Sequence, residues 1–209
     1  MRMGIGLLLV GFAVRCVSAG MTNEAIIIDG DRLVSALRTA SGSDRVAETF
    51  CTQRSGAILK LLALFRESDV RGEVFTRQTQ IGIIRVLGKM RAAEAVPLLI
   101  EHIDIEPFLI DAKTMETMRP AVYALADIGK PASTAVMICL VKERNESRRK
   151  LLCEVLRLVE GVPVGRFMIE NALQKSTDSS VKDRFRSDLG AFGVDPVQDP
   201  KGLLDGVTK

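Results

Sequence analysis

Two stretches of this chain follow one plan. Gln80 to Asp104 contains RVLGKM followed by AVPLLIEHI, and Arg119 to Glu143 contains YALADIGKP followed by AVMICLV. In each, an apolar helical pattern stops at Gly-Lys, turns within a few residues and resumes at Ala-Val. Aligning Gly88 with Gly129 gives an offset of 41 residues, and aligning Ala95-Val96 with Ala135-Val136 gives 40. A unit of that length is one helix–turn–helix, which cannot bury its apolar face alone and has to stack on a neighbour. The chain is therefore expected to be all-α, an α-solenoid of about three to four stacked antiparallel helical hairpins.

Composition agrees with packed helices. Hydrophobic residues make up 47 % of the 209 positions but aromatics only 4 %, with no Trp. Leu, Ile, Val, Ala and Met must then fill the core, which suits helices packed side by side better than strands rich in aromatics. The formal charge is +3. Setting aside Arg2 and Arg15 of the N-terminal segment leaves 27 basic against 26 acidic residues. So even a balance does not describe a surface built for nucleic acid.

The N-terminus has the pattern of an export signal, assigned to 1–19. Arg2 supplies the basic end, Met3 to Val14 is an unbroken apolar run, and Val17-Ser18-Ala19 offers small residues for cleavage before Gly20. The run is shorter than the roughly 20 residues a membrane-crossing helix needs. The expected address is the periplasm or the extracellular space; a start at Met21 is the alternative and leaves the protein cytoplasmic. Removing the leader leaves Cys51, Cys139 and Cys153, an odd number that cannot close a disulfide framework. Cys139 occupies the position of Leu99 in the earlier repeat and reads as a small core residue, with Cys153 near enough in sequence to be a pairing partner.

Behind the leader, 20–52 is expected to form an N-terminal capping segment, 53–190 the repeat array, and 191–209 a loosely ordered tail carrying Pro196, Pro200, Gly202 and Gly206. Within 20–52 a short helix runs from Asp31 to Thr39, followed by a loop of Ala40 to Ser43. Further helices are expected over Gly56 to Phe65, Glu73 to Lys89, Ala95 to Ile103, Met118 to Ile128, Ala132 to Glu143, Ser147 to Val159, Pro163 to Gln174 and Ser179 to Leu189. Pro131 and Pro163 stand near helix starts, where the missing amide hydrogen costs little, and Gly161 stands just past a helix end, where a left-handed conformation is needed. On a wheel, Ile81, Ile83, Ile84, Val86 and Leu87 cover more than half the helix, leaving Gln78, Gly82, Arg85 and Lys89 as a polar edge. Ala135 to Val141 is apolar all round and should be the most buried helix. Ser179 to Leu189, with five charged residues, fits a terminal cap.

The segments RVLGKMRAAEAVPLLIEHID and YALADIGKPASTAVMICLVKE resemble HEAT repeats, particularly the short type of phycocyanobilin lyases, in which Ala-Leu-Gly-x-x-Gly is followed by Ala-Val-Pro-x-Leu. Asp69-Val70-Arg71 resembles the element that opens a repeat in that family. The likeness covers about Ser68 to Glu143, weakens over Arg148 to Lys175 and is absent before Gln53. It implies an α-solenoid presenting a surface to other macromolecules and does not carry lyase activity with it.

Motifs for chemistry are sparse. GIIRVLGKM at Gly82 to Met90 has five residues between its glycines and Met90 where a phosphate-binding loop needs Ser or Thr. His102 is the sole histidine, so neither a His-based metal site nor a Ser-His-Asp set can be assembled around it. Asp29-Gly30-Asp31 reads as a turn and helix cap. Lys142 to Lys150, KERNESRRK, is a charged turn whose Arg148, Arg149 and Lys150 are candidates for phosphate contact, diluted by Glu143 and Glu146. Asn145-Glu146-Ser147 is also a glycosylation sequon.

The expected role is accordingly a non-catalytic interaction or scaffolding module with another protein as partner, no cofactor and no metal. A cytoplasmic lyase-like or regulatory protein holding a chromophore or small prosthetic group is the alternative. Polar positions expected on the concave side are Glu94, Glu101, Arg166, Glu170 and Asn171. On the outer helices Arg119, Tyr123 and Asp127 follow i, i+4, i+8 spacing as a second exposed strip, with Tyr123 as interface anchor.

Overall fold

The structure, a computed structural model, describes residues 13–14, 26–27, 30–50, 54–71, 74–107 and 118–193. Helices account for nearly all of it. One two-residue antiparallel pair joins Ala13–Val14 to Ile26–Ile27. Cleavage before Gly20 would separate those partners. The rest of the segment 1–19 expected to be a leader, Cys51, and the tail from Val194 onward lie outside the described residues. The chain divides into two compact units, Met1–Met90 and Arg91–Lys209, a boundary that falls inside the 53–190 array.

The first unit holds α1 (Gly30–Leu37), α2 (Ala40–Phe50), α3 (Arg54–Arg71) and α4 (Val74–Lys89). The other three all pack on α4. That is why α4 is apolar over so much of its circumference: Ile81, Ile83, Ile84, Val86 and Leu87 are each at most 2 % exposed. Burying each such side chain contributes about 1.5–3 kcal/mol. Gly82 does not belong to a polar edge. It is buried, and a Cβ there would fall 1.7 Å from the Leu37 carbonyl oxygen, so the glycine is what lets α1 approach α4.

The expected loop at Ala40 to Ser43 is instead the first turn of α2. Thr39 Oγ1 accepts from the Gly42 amide at 3.0 Å, the N-cap bond that starts a helix. Ser43 Oγ, buried, donates to the Leu37 carbonyl at 3.2 Å, and a Cβ on Gly42 would lie 2.1 Å from the Ala36 carbonyl. A turn-rich sequence is thus held helical by close contact with α1. Asp69-Val70-Arg71 also departs from expectation: it closes α3 rather than opening a repeat.

The second unit begins with a 3-10 turn (Ala93–Ala95) and α5 (Val96–Glu101), followed by α6 (Pro120–Ile128), α7 (Lys130–Lys142), α8 (Glu146–Lys175), α9 (Ser179–Leu189) and a 3-10 turn (Gly190–Phe192). Helices α6, α7 and α9 all pack on α8, burying Leu152, Val155, Leu156 and Ile169 completely. Asn145 caps α8 by accepting from the Arg148 amide at 3.2 Å. Midway, Gly161 leaves helical geometry (φ 78°, ψ 165°), and Pro163 follows within the first turn of the resumed helix. The glycine-then-proline punctuation acts as expected.

The hairpin Arg119 to Glu143 lies whole within this unit as α6 and α7, joined at Gly129 (φ 83°). The hairpin Gln80 to Asp104 has one helix in each unit. Its glycine is not the conformational equivalent of Gly129: α4 continues through Lys89, the Met90 amide bonds the Val86 carbonyl at 2.9 Å, and the positive φ (49°) falls on Arg91. Met90 is buried, so packing carries the helix past the Gly-Lys signal.

Helix α7 is not the most buried one. Only a stripe of Ala132, Ser133, Val136 and Leu140 is covered, while Ile138 is 60 % and Val141 44 % exposed. Its neighbours occupy one side, and no further helix among the described residues covers the other. The tail is more ordered at its start than expected: Phe192 is buried, against Gly165, where a Cβ would sit 2.7 Å from the ring.

Candidate functional site

The charged turn between α7 and α8 organises the second unit. Arg148 reaches the end of α5, donating to the carbonyls of Ile100 at 2.9 Å and Glu101 at 3.2 Å and to the Asp104 carboxylate at 2.8 Å. Its Nε bonds Glu143 at 3.1 Å. The last carbonyls of a helix lack internal partners, and a guanidinium satisfies several at once while meeting the negative end of the helix dipole. Glu143 also accepts from the backbone amides of Asn145 and Arg144, both at 2.9 Å. The Asn145 amide, with Arg148, holds its carboxyl below the ordinary carboxylate range.

Arg149 points the other way, into the unit. It is 3 % exposed, donates to the carbonyls of Leu140 at 2.5 Å and Glu143 at 2.8 Å, and forms a two-pronged ion pair with Asp188 of α9. Its guanidinium lies 5.6 Å from the centre of the Phe185 ring. Burial pushes the Asp188 carboxyl up against the opposing pull of Arg149. Two of the three residues considered for phosphate contact are therefore engaged inside the unit, and Lys150 pairs with Glu146 at 2.8 Å.

Beside this pair lies a cleft of about 490 Å³ between the first turns of α8 and the C-terminal half of α9, walled by Arg144, Lys150, Arg184 and Asp183 with Arg149, Asp188 and Cys153 beneath. Cys153 is a free thiol pushed up to about 12 by burial, and Cys139 is free as well, its thiol raised by the same cause. No disulfide joins them. Neither is poised as a nucleophile.

Among the seven expected binding residues one pair is bonded, Arg166 with Glu170. Glu94 is exposed on the 3-10 turn and Glu101 on the end of α5, where only its backbone carbonyl is engaged, by Arg148. Arg166 and Glu170 are exposed and half-buried neighbours on α8 that bond each other at 2.9 Å, with Asn171 half-buried beside them. Arg119 pairs with Glu154 of α8, which fixes α6 to α8 and leaves the arginine half-buried; Tyr123 is half-buried too. The Arg119, Tyr123 and Asp127 strip is thus exposed only at Asp127. His102 is the C-cap of α5.

What sequence reasoning missed are apolar side chains left in water. Ile138 and Val141 on α7 are neighbours at i, i+3, and so are Val164 (47 % exposed) and Phe167 (63 %) on α8. The amphipathic pattern of α8 after Gly161 contained the second signal, since Val164 and Phe167 lie off the stripe formed by Gly165 and Ile169. In class, the molecule is a helical protein whose second unit is assembled on one kinked helix. No protein-family model, no curated protein and no solved structure matches the chain.

Proposed function

We propose that this chain is a non-catalytic, HEAT-like helical module that binds another protein through the outward faces of α7 and the second half of α8. The observation that carries the reading is the two i, i+3 apolar pairs, Ile138 with Val141 and Val164 with Phe167, standing in water on helices whose other sides are packed. Scattered single exposed apolar residues are ordinary, but paired large ones on a helix face mark interaction surfaces. Phe167 has the aromatic character that central interface residues favour. Of the polar positions expected to bind, Arg166 and Glu170 flank Phe167 and form the rim. Export to the periplasm or beyond belongs to the same proposal and rests on the apolar run and small-residue site in 1–19. Cross-linking capture from the native host with wild type and with Ile138→Asp/Phe167→Asp tests it: a stoichiometric protein lost from the variant supports the reading, and turnover of a substrate by purified protein refutes the non-catalytic part.

A further inference from the structure

The cleft between α8 and α9 has a charge pattern that the binding faces do not explain. Four cations line it, Arg144, Arg149, Lys150 and Arg184, against three carboxylates, Glu146, Asp183 and Asp188. The carboxylates are each taken. Asp188 pairs with Arg149, Glu146 with Lys150, and Asp183 with Arg186, which stands outside the lining. Arg144 and Arg184 remain, and among the described residues neither is in an ion pair. Arg184 is oriented by its terminal nitrogens, to the Val141 carbonyl at 3.0 Å and Ser180 Oγ at 3.4 Å, while its Nε is shielded from water with no partner.

We infer that this cleft binds a small soluble molecule through a phosphate group, held between Arg144 and Arg184. Arg144, which is in no ion pair among the described residues, and Arg184, whose charge acts on Asp178 and Asp188 without forming one, offer two guanidinium groups to one multi-oxygen anion, which accepts several charge-assisted bonds. The volume of about 490 Å³ is that of a small-molecule site rather than a groove for a polymer. The buried Arg149–Asp188 pair forms a neutral floor and Cys153 an uncharged thiol wall, so selectivity rests on the two arginines.

The test is calorimetric titration of the full chain with inorganic phosphate and with glycerol 3-phosphate, at constant ionic strength. Saturable one-to-one binding is expected, weakened at least about tenfold in Arg144→Ala, the loss that one charge-assisted contact represents. Arg184→Lys keeps the charge but loses the fork, and is expected to weaken binding as well; Arg157→Ala, an exposed arginine of α8 outside the cleft, leaves it unchanged. Arg144 is exposed and none of its side-chain bonds supports the fold, so its variant separates binding from folding. Heat that does not saturate by about 10 mM, a concentration that reveals even millimolar affinity, overturns the inference. So does saturable binding that Arg144→Ala does not alter.

Discussion

Arg149 of α8 and Asp188 of α9 form a buried ion pair, their side chains 4 % and 5 % exposed, that ties the last α-helix among the described residues to the helix on which the second unit is built. Removing one partner leaves an uncompensated charge in the interior. Asp188→Ala is expected to destabilise the unit by about 3–5 kcal/mol, measured by guanidinium denaturation. Replacing both partners with apolar residues, as in Arg149→Met/Asp188→Leu, should cost less than the single change, because no buried charge is left alone.

Arg148 and Glu143 hold α5 against the start of α8. Arg148→Ala should cost about 1–3 kcal/mol through the lost charged hydrogen bonds, with faster amide exchange over 102–105; Arg148→Lys does not restore it, lacking the fork that reaches two carbonyls. The pH dependence follows from Glu143, whose carboxyl is held below its ordinary value of 4.5 by the Asn145 amide and Arg148. An acid with a lowered folded pKa stabilises above its unfolded value, and the gain is lost as pH falls from about 4.5 through the folded pKa. Denaturation midpoints of wild type should therefore drop on acidification through that window more than those of Glu143→Gln.

Gly161 carries backbone geometry (φ 78°, ψ 165°) that only glycine adopts without strain. Gly161→Ala should destabilise by about 1–3 kcal/mol, although a Cβ there meets nothing closer than Pro163 Cδ at 4.0 Å. Thermal melts of the two proteins check it. An unchanged melting temperature would contradict the strained conformation.

The thiols give a separate reading of burial. Cys153, pushed up to about 12 and shielded within the second unit, is expected to resist alkylation until the unit unfolds, while half-buried Cys139 reacts first. Peptide mapping after iodoacetamide treatment distinguishes them.

Much of the local architecture was legible in the sequence because it is written in local signals. Ser179 to Leu189 is a helix with those bounds, capped by Asp178, and Gly161 breaks α8 where a helix end was expected. Ala40 to Ser43 was misread because its helix depends on α1 packing against Gly42 and Ser43, not on propensity. The turn Lys142 to Lys150 looks like a solvated charge run because the partners that draw Arg148 and Arg149 inward from other helices, Ile100, Glu101, Asp104 and Asp188, lie 39 to 48 residues away. An all-apolar stretch such as Ala135 to Val141 does not say which of its sides lacks a neighbour. The exposed Ile138 and Val141 follow from that missing cover.

The central claim is that the Ile138 and Phe167 faces bind a protein partner. The most direct measurement is quantitative cross-linking capture from the native host with the Gly20 to Lys209 form, set beside Ile138→Asp/Phe167→Asp and the triple change at Glu101, Tyr123 and Arg166, each first shown by circular dichroism to fold. The account predicts one stoichiometric protein with wild type, lost in the double variant and largely kept in the triple. A partner retained by the double variant, or a pigment or metabolite in place of any protein, would contradict it.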